Sequence, residues 1–356
     1  MKKTPKQKIS NLIRAYPHVW DHGGMRVVVR ENFARVLACR RALGAEVFVS
    51  PNGEIRTVMH TCKSRACPSC GYWQTLRWMH EVATRFPDVP CSGIVFSMPD
   101  TFWEIFRTNR RLLPALADLG SGVLQDWALE RYSAEVPILV VPHTFNAKLK
   151  FNVHLHVLAG REGLDRTGNR LVQNIHYYAK EVTRRWRHTL VDFLIHAIDR
   201  GQVRSSMPVE QLRDLVQGQR DLWWKPMVRN YYSQKAFLHY IARYLRCPPM
   251  ADYRILSSPT GTVRFLYKDK KSHEIRVAEH SAEDFLLLLA DQCRTATATE
   301  SVTSAYLRRA RRRYAMRHSC VCWDDVRRRR CAACGGQLHF WPPSATTRCG
   351  TASVNE

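Results

Sequence analysis

The chain has 356 residues, 45% of them apolar, which is enough for two or three domains with sizeable cores and excludes wholesale disorder. A formal charge of +24 and a pI near 9.9 give a surface that attracts polyanions, nucleic acid first among them. No apolar run approaches a membrane span, PILVV and FLLLLA included, and the basic N-terminus lacks the apolar stretch of a signal peptide, so a cytoplasmic protein with no membrane partner is expected.

Structural disulfides are disfavoured in that compartment, and eight of the twelve cysteines fall in two clusters, so metal is the economical explanation for them. Three regions are expected. Residues 1–90 form an N-terminal zinc-binding, DNA-binding module, 91–290 a catalytic domain, and 291–356 a linker with an arginine-rich and cysteine-rich DNA-binding tail. In the first region ARVLACRRAL predicts a short helix and SPNGE a turn, followed by HTCKSRACPSCG. Cys62, Cys67 and Cys70 supply three thiolates there, the Cys-Pro-x-Cys turn presenting two of them to one point. Tetrahedral zinc requires four ligands, and Cys39 is the expected fourth, with His60 the competitor. The bland alternative is a set of unligated buried cysteines.

From residue 91 the pattern is α+β. CSGIVFSMP predicts a buried strand and TFWEIF through LERY predicts helices. PILVVPHTF and NVHLHVLAG predict two strands of a hairpin joined by NAKLK. Alternate residues of a strand share a face, so His154 and His156 can hold one cation, and pairing across NAKLK would add His143 as third ligand. A divalent ion held there, Mg2+ or Mn2+, would offset the charge on a phosphodiester under attack. With fifteen histidines in the chain, one His-x-His can also be incidental. A helical block follows around HYYAKEVTRRWRHTLVDFLIHAID, then GQVRSSMPVEQLRDLVQGQR, expected as a surface insertion.

Residues 233 to 246 predict a helix stopped by Pro248 and Pro249, with Tyr240 and Tyr244 on one face. A phenol is a weak nucleophile at neutral pH, but Lys235, His239, Arg243 and Arg246 are cations able to favour the phenolate. Attack on DNA would store the phosphodiester as phosphotyrosine and free a 3′ hydroxyl, and two tyrosines would allow one end to be held while another is cut. Two aromatics at helical spacing are more commonly a core stripe. Here Phe237, Leu238, Ile241 and Leu245 can supply that stripe without them. RILSSPTGTVRFLYKDKKSHEIRVAE then predicts a β-hairpin, and TATATES a linker.

The tail carries a second cluster, Cys320, Cys322, Cys331 and Cys334, with His318 able to replace one sulfur, expected to hold a second structural zinc ion. Around it lie Arg308, Arg309, Arg311, Arg312, Arg313, Arg317, Arg327, Arg328, Arg329 and Arg330, for which phosphate binding is the better reading than a merely solvated face. Trp186, Trp223, Trp224, Tyr231 and Tyr232 lie among basic residues and are candidates for stacking on unpaired bases, although each taken singly is more commonly a core residue.

Taken in order, CKSRACPSC, IVFSMP, HTFNAKLKFNVHLHVLAG, YIARYLRCPPMADYRI and VRFLYKD resemble the two-tyrosine HUH transposases of rolling-circle insertion sequences over residues 35–290. Two departures stand out. EVFVSPNGE occupies the stretch where that family carries a Cys-x-x-Cys, and the region after FLLLLA becomes TATATES plus arginines. The resemblance implies an α+β HUH endonuclease fold, an antiparallel sheet flanked by helices, with zinc modules on its N- and C-terminal sides. It implies His154 and His156 as metal ligands and Tyr240 and Tyr244 as nucleophiles forming 5′-phosphotyrosine links to single-stranded DNA at transposon ends and target sites. With no P-loop in the chain, unwinding would fall to a host helicase. Two other classes remain open, a plasmid or phage replication initiator using the same chemistry and a non-enzymatic zinc-finger nucleic-acid binder.

Overall fold

The computed structural model describes residues 8–64, 66–225, 227–231, 249–257, 261–269, 272–293, 301–302 and 339–341. Tyr240 and Tyr244, Lys235 and Arg243, the second cysteine cluster and the arginines around it all lie outside the described residues, as does the TATATES stretch up to residue 300.

Among the described residues the helices are α1 (Lys8–Ala15), α2 (Val27–Ala38), α3 (Pro68–Arg85), α4 (Thr101–Thr108), α5 (Ala115–Tyr132), α6 (Ala179–Asp199), α7 (Val209–Gln217) and α8 (Ala282–Asp291). The strands are β1 (Ala45–Val49), β2 (Ile55–Met59), β3 (Cys91–Phe96), β4 (Ala134–Glu135), β5 (Ile138–Phe145), β6 (Phe151–Gly160), β7 (Gly163–Asp165), β8 (Leu171–Val172), β9 (Val228–Tyr231), β10 (Ile255–Ser257), β11 (Thr262–Lys268), β12 (Ile275–Ser281), β13 (Ser301–Val302) and β14 (His339–Trp341). The architecture is mixed helix and antiparallel sheet, and its central sheet runs β13-β5-β6-β3-β9.

Strand β6 sits in the middle of that sheet and is covered on both faces, so it reads as a nearly continuous apolar run. One face presents Val153, Leu155, Val157 and Ala159 to a core built with α4, α5 and α6. Trp186 of α6 stacks on Phe96 at 4.9 Å, its indole donating to the Ser97 carbonyl. Helix α5 lies close because residue 120 is glycine. A Cβ there would come within 2.7 Å of Leu155 Cδ1. The opposite face carries Leu158 with Leu139 and Val141 of β5, and Trp78, Val82 and Phe86 of α3 pack on them. His154 and His156 alternate onto this α3-covered face.

A second core joins distant parts of the chain. It unites α1, α2 and the four cysteines of the first cluster with Leu149, with Phe265 and Tyr267 of β11, and with Phe285, Leu286 and Leu289 of α8. Helices α1 and α2 lie more than 200 residues from β11 and α8, so local sequence pattern gives no sign of this union.

Two expectations need correction, the first for the segment after α6 and the second for the one from residue 254 onward. GQVRSSMPVEQLRDLVQGQR is not a surface insertion, since α7 buries Leu212 and Val216 in the main core. Of the candidates for stacking, Trp186 and Trp224 are buried, in keeping with the core alternative, whereas Trp223 is exposed. The segment read as a hairpin is the three-stranded sheet β10-β11-β12. No described helix is long and apolar enough to cross a membrane.

Candidate active site

Two clusters of ligand atoms form among the described residues, each with its atoms within 4.8 Å of one another: Cys39, Cys62, Cys67 and Cys70, and His143, His154 and His156.

Cys39 caps α2, where extended backbone ends the helix and Arg40 turns at φ +56°. The chain then makes the β1–β2 hairpin, in which EVFVSPNGE forms one strand and the turn. Arg40 N–H donates to the His60 carbonyl, and His60 N–H to the Gly44 carbonyl, so the hairpin's ends return Cys62 to Cys39. Cys67 and Cys70 flank Pro68 in the first turn of α3, where helical dipoles favour thiolates. The sulfur of Cys70 lies 3.4 Å from Cys39 and 3.5 Å from Cys62, and Cys67 lies 3.8 Å from Cys39. Thiolates at about 2.3 Å from a tetrahedral zinc ion stand about 3.8 Å apart, so the donor set fits that metal. His60, the competing fourth ligand, is exposed and stands outside the cluster. Hydrogen bonds from Cys62 and Cys67 pull the Cys70 thiol well below its ordinary range, while thiol–thiol hydrogen bonding pushes Cys62 up. Backbone N–H groups of Cys62 and Ser64 point at Cys39 and Cys62 sulfurs, a further welcome for negative charge.

The histidines come from adjacent strands. His143 of β5 is the direct cross-strand partner of His154 of β6, and Val141 that of His156. His143 Nδ1 and His154 Nε2 stand 3.1 Å apart. Ring centroids of His154 and His156 are 5.0 Å apart, and those of His143 and His156 5.8 Å. Adjacent ligands on an octahedral ion at about 2.1 Å are separated by about 3.0 Å, which the His143–His154 spacing matches.

Tautomer is fixed by the neighbours. His154 Nδ1 contacts the Asn152 backbone carbonyl at 3.1 Å and its side-chain oxygen at 3.0 Å, both acceptors. Nδ1 therefore carries the proton, and the Nε2 lone pair faces His143, the arrangement in which an acceptor behind the ring leaves the opposite nitrogen free to ligate a metal. Asn152 was not among the candidate site residues read from the sequence; its position two residues before His154 on the same strand was the available signal. His143 and His156 are buried and His154 half-buried, so the set opens on one side. Three ligand atoms leave positions for outside oxygens, which four sulfurs do not.

Residues 11–98, which hold the four cysteines, match the family model described as "Transposase zinc-binding domain". Residues 138–298, which hold the three histidines, match the one described as "Putative transposase". The chain is 28% identical over 298 residues to "Transposase for insertion sequence element IS801" of Pseudomonas savastanoi pv. phaseolicola, covering 79% of this chain and 71% of that relative. It is 21% identical over 297 residues to "Putative transposase y4qJ" of Sinorhizobium fredii (strain NBRC 101917 / NGR234), covering 78% and 75%. No solved structure matches. A transposase zinc-binding domain model and a transposase domain model thus match in tandem, and the IS801 protein aligns along most of both chains, so this chain is similar to transposases over most of its length.

Proposed function

We propose that this transposase nicks and rejoins single-stranded DNA at transposon ends and target sites in rolling-circle-type transposition, through 5′-phosphotyrosine intermediates. The observation that carries this reading is the convergence of His143, His154 and His156 on one point from two adjacent strands, with His154 held in the ligating tautomer by Asn152. When bound there, a divalent cation would neutralise a non-bridging phosphate oxygen during attack. Of the two ions expected, Mn2+ suits an all-imidazole set better than Mg2+, which favours oxygen ligands.

The protein's own groups have separate tasks. His143, His154 and His156 fix the position of the scissile phosphate. Tyr240 and Tyr244 each attack a phosphodiester in turn, the phenol losing its proton as the tyrosyl–phosphorus bond forms and the 3′ oxygen leaves. That 3′ hydroxyl later reverses the reaction on a phosphotyrosine and frees the phenol. Zinc bound by Cys39, Cys62, Cys67 and Cys70 staples the N-terminal module, and Cys320, Cys322, Cys331 and Cys334 hold a second ion in the tail. Arg308, Arg309, Arg311, Arg312, Arg313 and Arg327 to Arg330, with Lys235 and Arg243, contact phosphates. The reaction runs at the bacterial nucleoid, with strand separation supplied by a host helicase. Both named relatives are called transposases, which favours this reading over replication initiation.

The test is a covalent band. The full chain, incubated with a single-stranded oligonucleotide from the element's end and Mn2+, forms a protein–DNA adduct that survives denaturing electrophoresis. Tyr240→Phe and Tyr244→Phe each impair formation or resolution, and the double variant forms none. An undiminished adduct in the double variant ends the assignment.

A further inference from the structure

We infer that Gln292 and Arg254 are positioning residues for the histidine triad, although neither belongs to it: together they grip the turn and the bulge from which His143 and His154 project. This inference rests on the metal reading given above.

The β5–β6 ladder is regular from Ile138↔Ala159 to His143↔His154, and the next pair is Phe145↔Phe151. Thr144 therefore faces two residues, Asn152 and Val153, so β6 carries a bulge. A bulge interrupts the ladder and re-aims nearby side chains. This one contains Asn152, whose two oxygens set the His154 ring. The sheet alone thus leaves its weakest register beside the ligand atoms.

The turn beyond adds a second soft point. Asn146 Oδ1 accepts from Lys148 and Lys150 N–H, and Leu149 sits at φ +65°, fully buried. A bulky side chain in the left-handed region persists only where surrounding structure holds it. The segment 252–293 supplies that hold. The Gln292 amide nitrogen donates to the Leu149 carbonyl at 3.1 Å and to the Leu288 carbonyl at 3.4 Å. Its amide oxygen accepts from the Thr144 hydroxyl at 3.2 Å. Arg254 donates from Nη2 to the Ala147 carbonyl at 3.2 Å and from Nε to the Leu266 carbonyl at 2.8 Å, tying the turn to β11. Lys148 Nζ lies 4.9 Å from the centre of the Tyr267 ring.

One amide thus holds both arms of the hairpin, Thr144 on β5 and Leu149 at the entry to β6. Gln292 is 5% exposed and Thr144 1%, so water does not compete for these bonds. Two carbonyls at its nitrogen fix which way the amide faces. Ligand atoms must be held within about 0.5 Å for tight metal binding, and this grip is a contact able to do it beside the bulge.

Mn2+ titration of the zinc-loaded full chain by calorimetry tests the inference, because it reads the triad without needing turnover. The unaltered chain binds Mn2+ and His154→Ala does not. Gln292→Leu weakens Mn2+ binding about tenfold, the lower end of what outer-shell changes cost. Arg254→Met weakens it less. Thr144→Val, which deletes one hydroxyl, also weakens it, and combining it with Gln292→Leu adds nothing further. Near-normal Mn2+ affinity in Gln292→Leu and Thr144→Val, with only a lowered melting midpoint, overturns the positioning role. Where Gln292→Leu does not fold, Thr144→Val alone decides. An unaltered chain with no histidine-dependent Mn2+ binding overturns the metal reading itself, and the positioning role with it.

Discussion

The four sulfurs of the cysteine cluster are gathered from a helix end, the foot of a hairpin and the first turn of another helix, spread over residues 39 to 70. The three imidazoles are presented by two neighbouring strands of the central sheet, eleven residues separating the two that face each other directly. All four cysteines are buried, and their set is complete for a tetrahedral ion; the histidine set is incomplete and includes a half-buried member. On the proposed function, the contrast separates a metal that would build structure from one that would meet substrate. Where loops must be tied together, an ion closes its shell with protein atoms; where chemistry happens, rigid strands would hold part of the shell and leave the rest to the phosphate.

The sharpest way to break that contrast is to remove one sulfur. Cys67→Ser, or Cys70→Ser, lowers bound zinc by one equivalent per chain, measured by elemental analysis of purified protein. Structural zinc sites in small domains are worth on the order of 10 kcal/mol, so the melting midpoint falls steeply or the N-terminal unit does not fold. Because the cysteines share a core with β11 and α8, the loss extends beyond the cluster. Unchanged zinc content and midpoint in both variants would reduce the cluster to four buried thiols.

Removing an imidazole gives the opposite pattern. His154→Ala abolishes metal-dependent adduct formation, a fall of at least about a hundredfold, in keeping with the loss of a positioned electrostatic group. Its melting midpoint shifts by only a few degrees, since the side chain is half-buried and the strand keeps its ladder. Calorimetric melting beside the cleavage assay checks both. A midpoint drop as large as that of the cysteine variants would erase the distinction between the two sites.

How far these sites were legible in the chain differs for the same reason that their architectures differ. The histidine hairpin could be read because it is local: alternation gives the face, NAKLK gives the turn, and His143 opposite His154 follows from their spacing. The cysteine trio was equally local, whereas Cys39 reaches it only through the β1–β2 hairpin, which left His60 as a competitor. What pattern could not show was contact between remote segments. Nothing in SAEDFLLLLADQC announces that α8 packs beneath the zinc module, or that Gln292 reaches Thr144. The α7 segment misled because charged and turn-forming residues surround only two core side chains, Leu212 and Val216. Trp186 lies among arginines in sequence, yet its indole points inward and stacks on Phe96, as the core alternative has it.

A smaller change probes where the two regions meet. The Asp291 carboxylate at the end of α8 receives Arg107 at 2.9 Å and Arg110 at 3.0 Å, and Arg110 also donates to the Asp291 backbone carbonyl. Arg26, just before α2, donates to the Ala290 carbonyl at 2.7 Å. Arg110 in turn lies 5.1 Å from the centre of the Phe151 ring, at the start of the strand that carries His154. Three cations thus close the C-terminal end of one helix, where Asp291 pairs with two of them and Glu104 also pairs with Arg107 at 3.7 Å. Burial already lowers the Arg110 pKa to about 10, so this guanidinium is the one most in need of its partner. Asp291→Asn keeps the shape and removes the charge. It costs about 2 kcal/mol, less than a fully buried pair would because Arg107 is half exposed. Urea denaturation of the full chain measures it. A loss below about 0.5 kcal/mol would mean that apolar packing alone joins the zinc module to the catalytic sheet, with the ion pairs merely decorating the seam. A loss accompanied by weaker Mn2+ binding would show instead that the α8 terminus transmits strain to the histidine strand through Phe151.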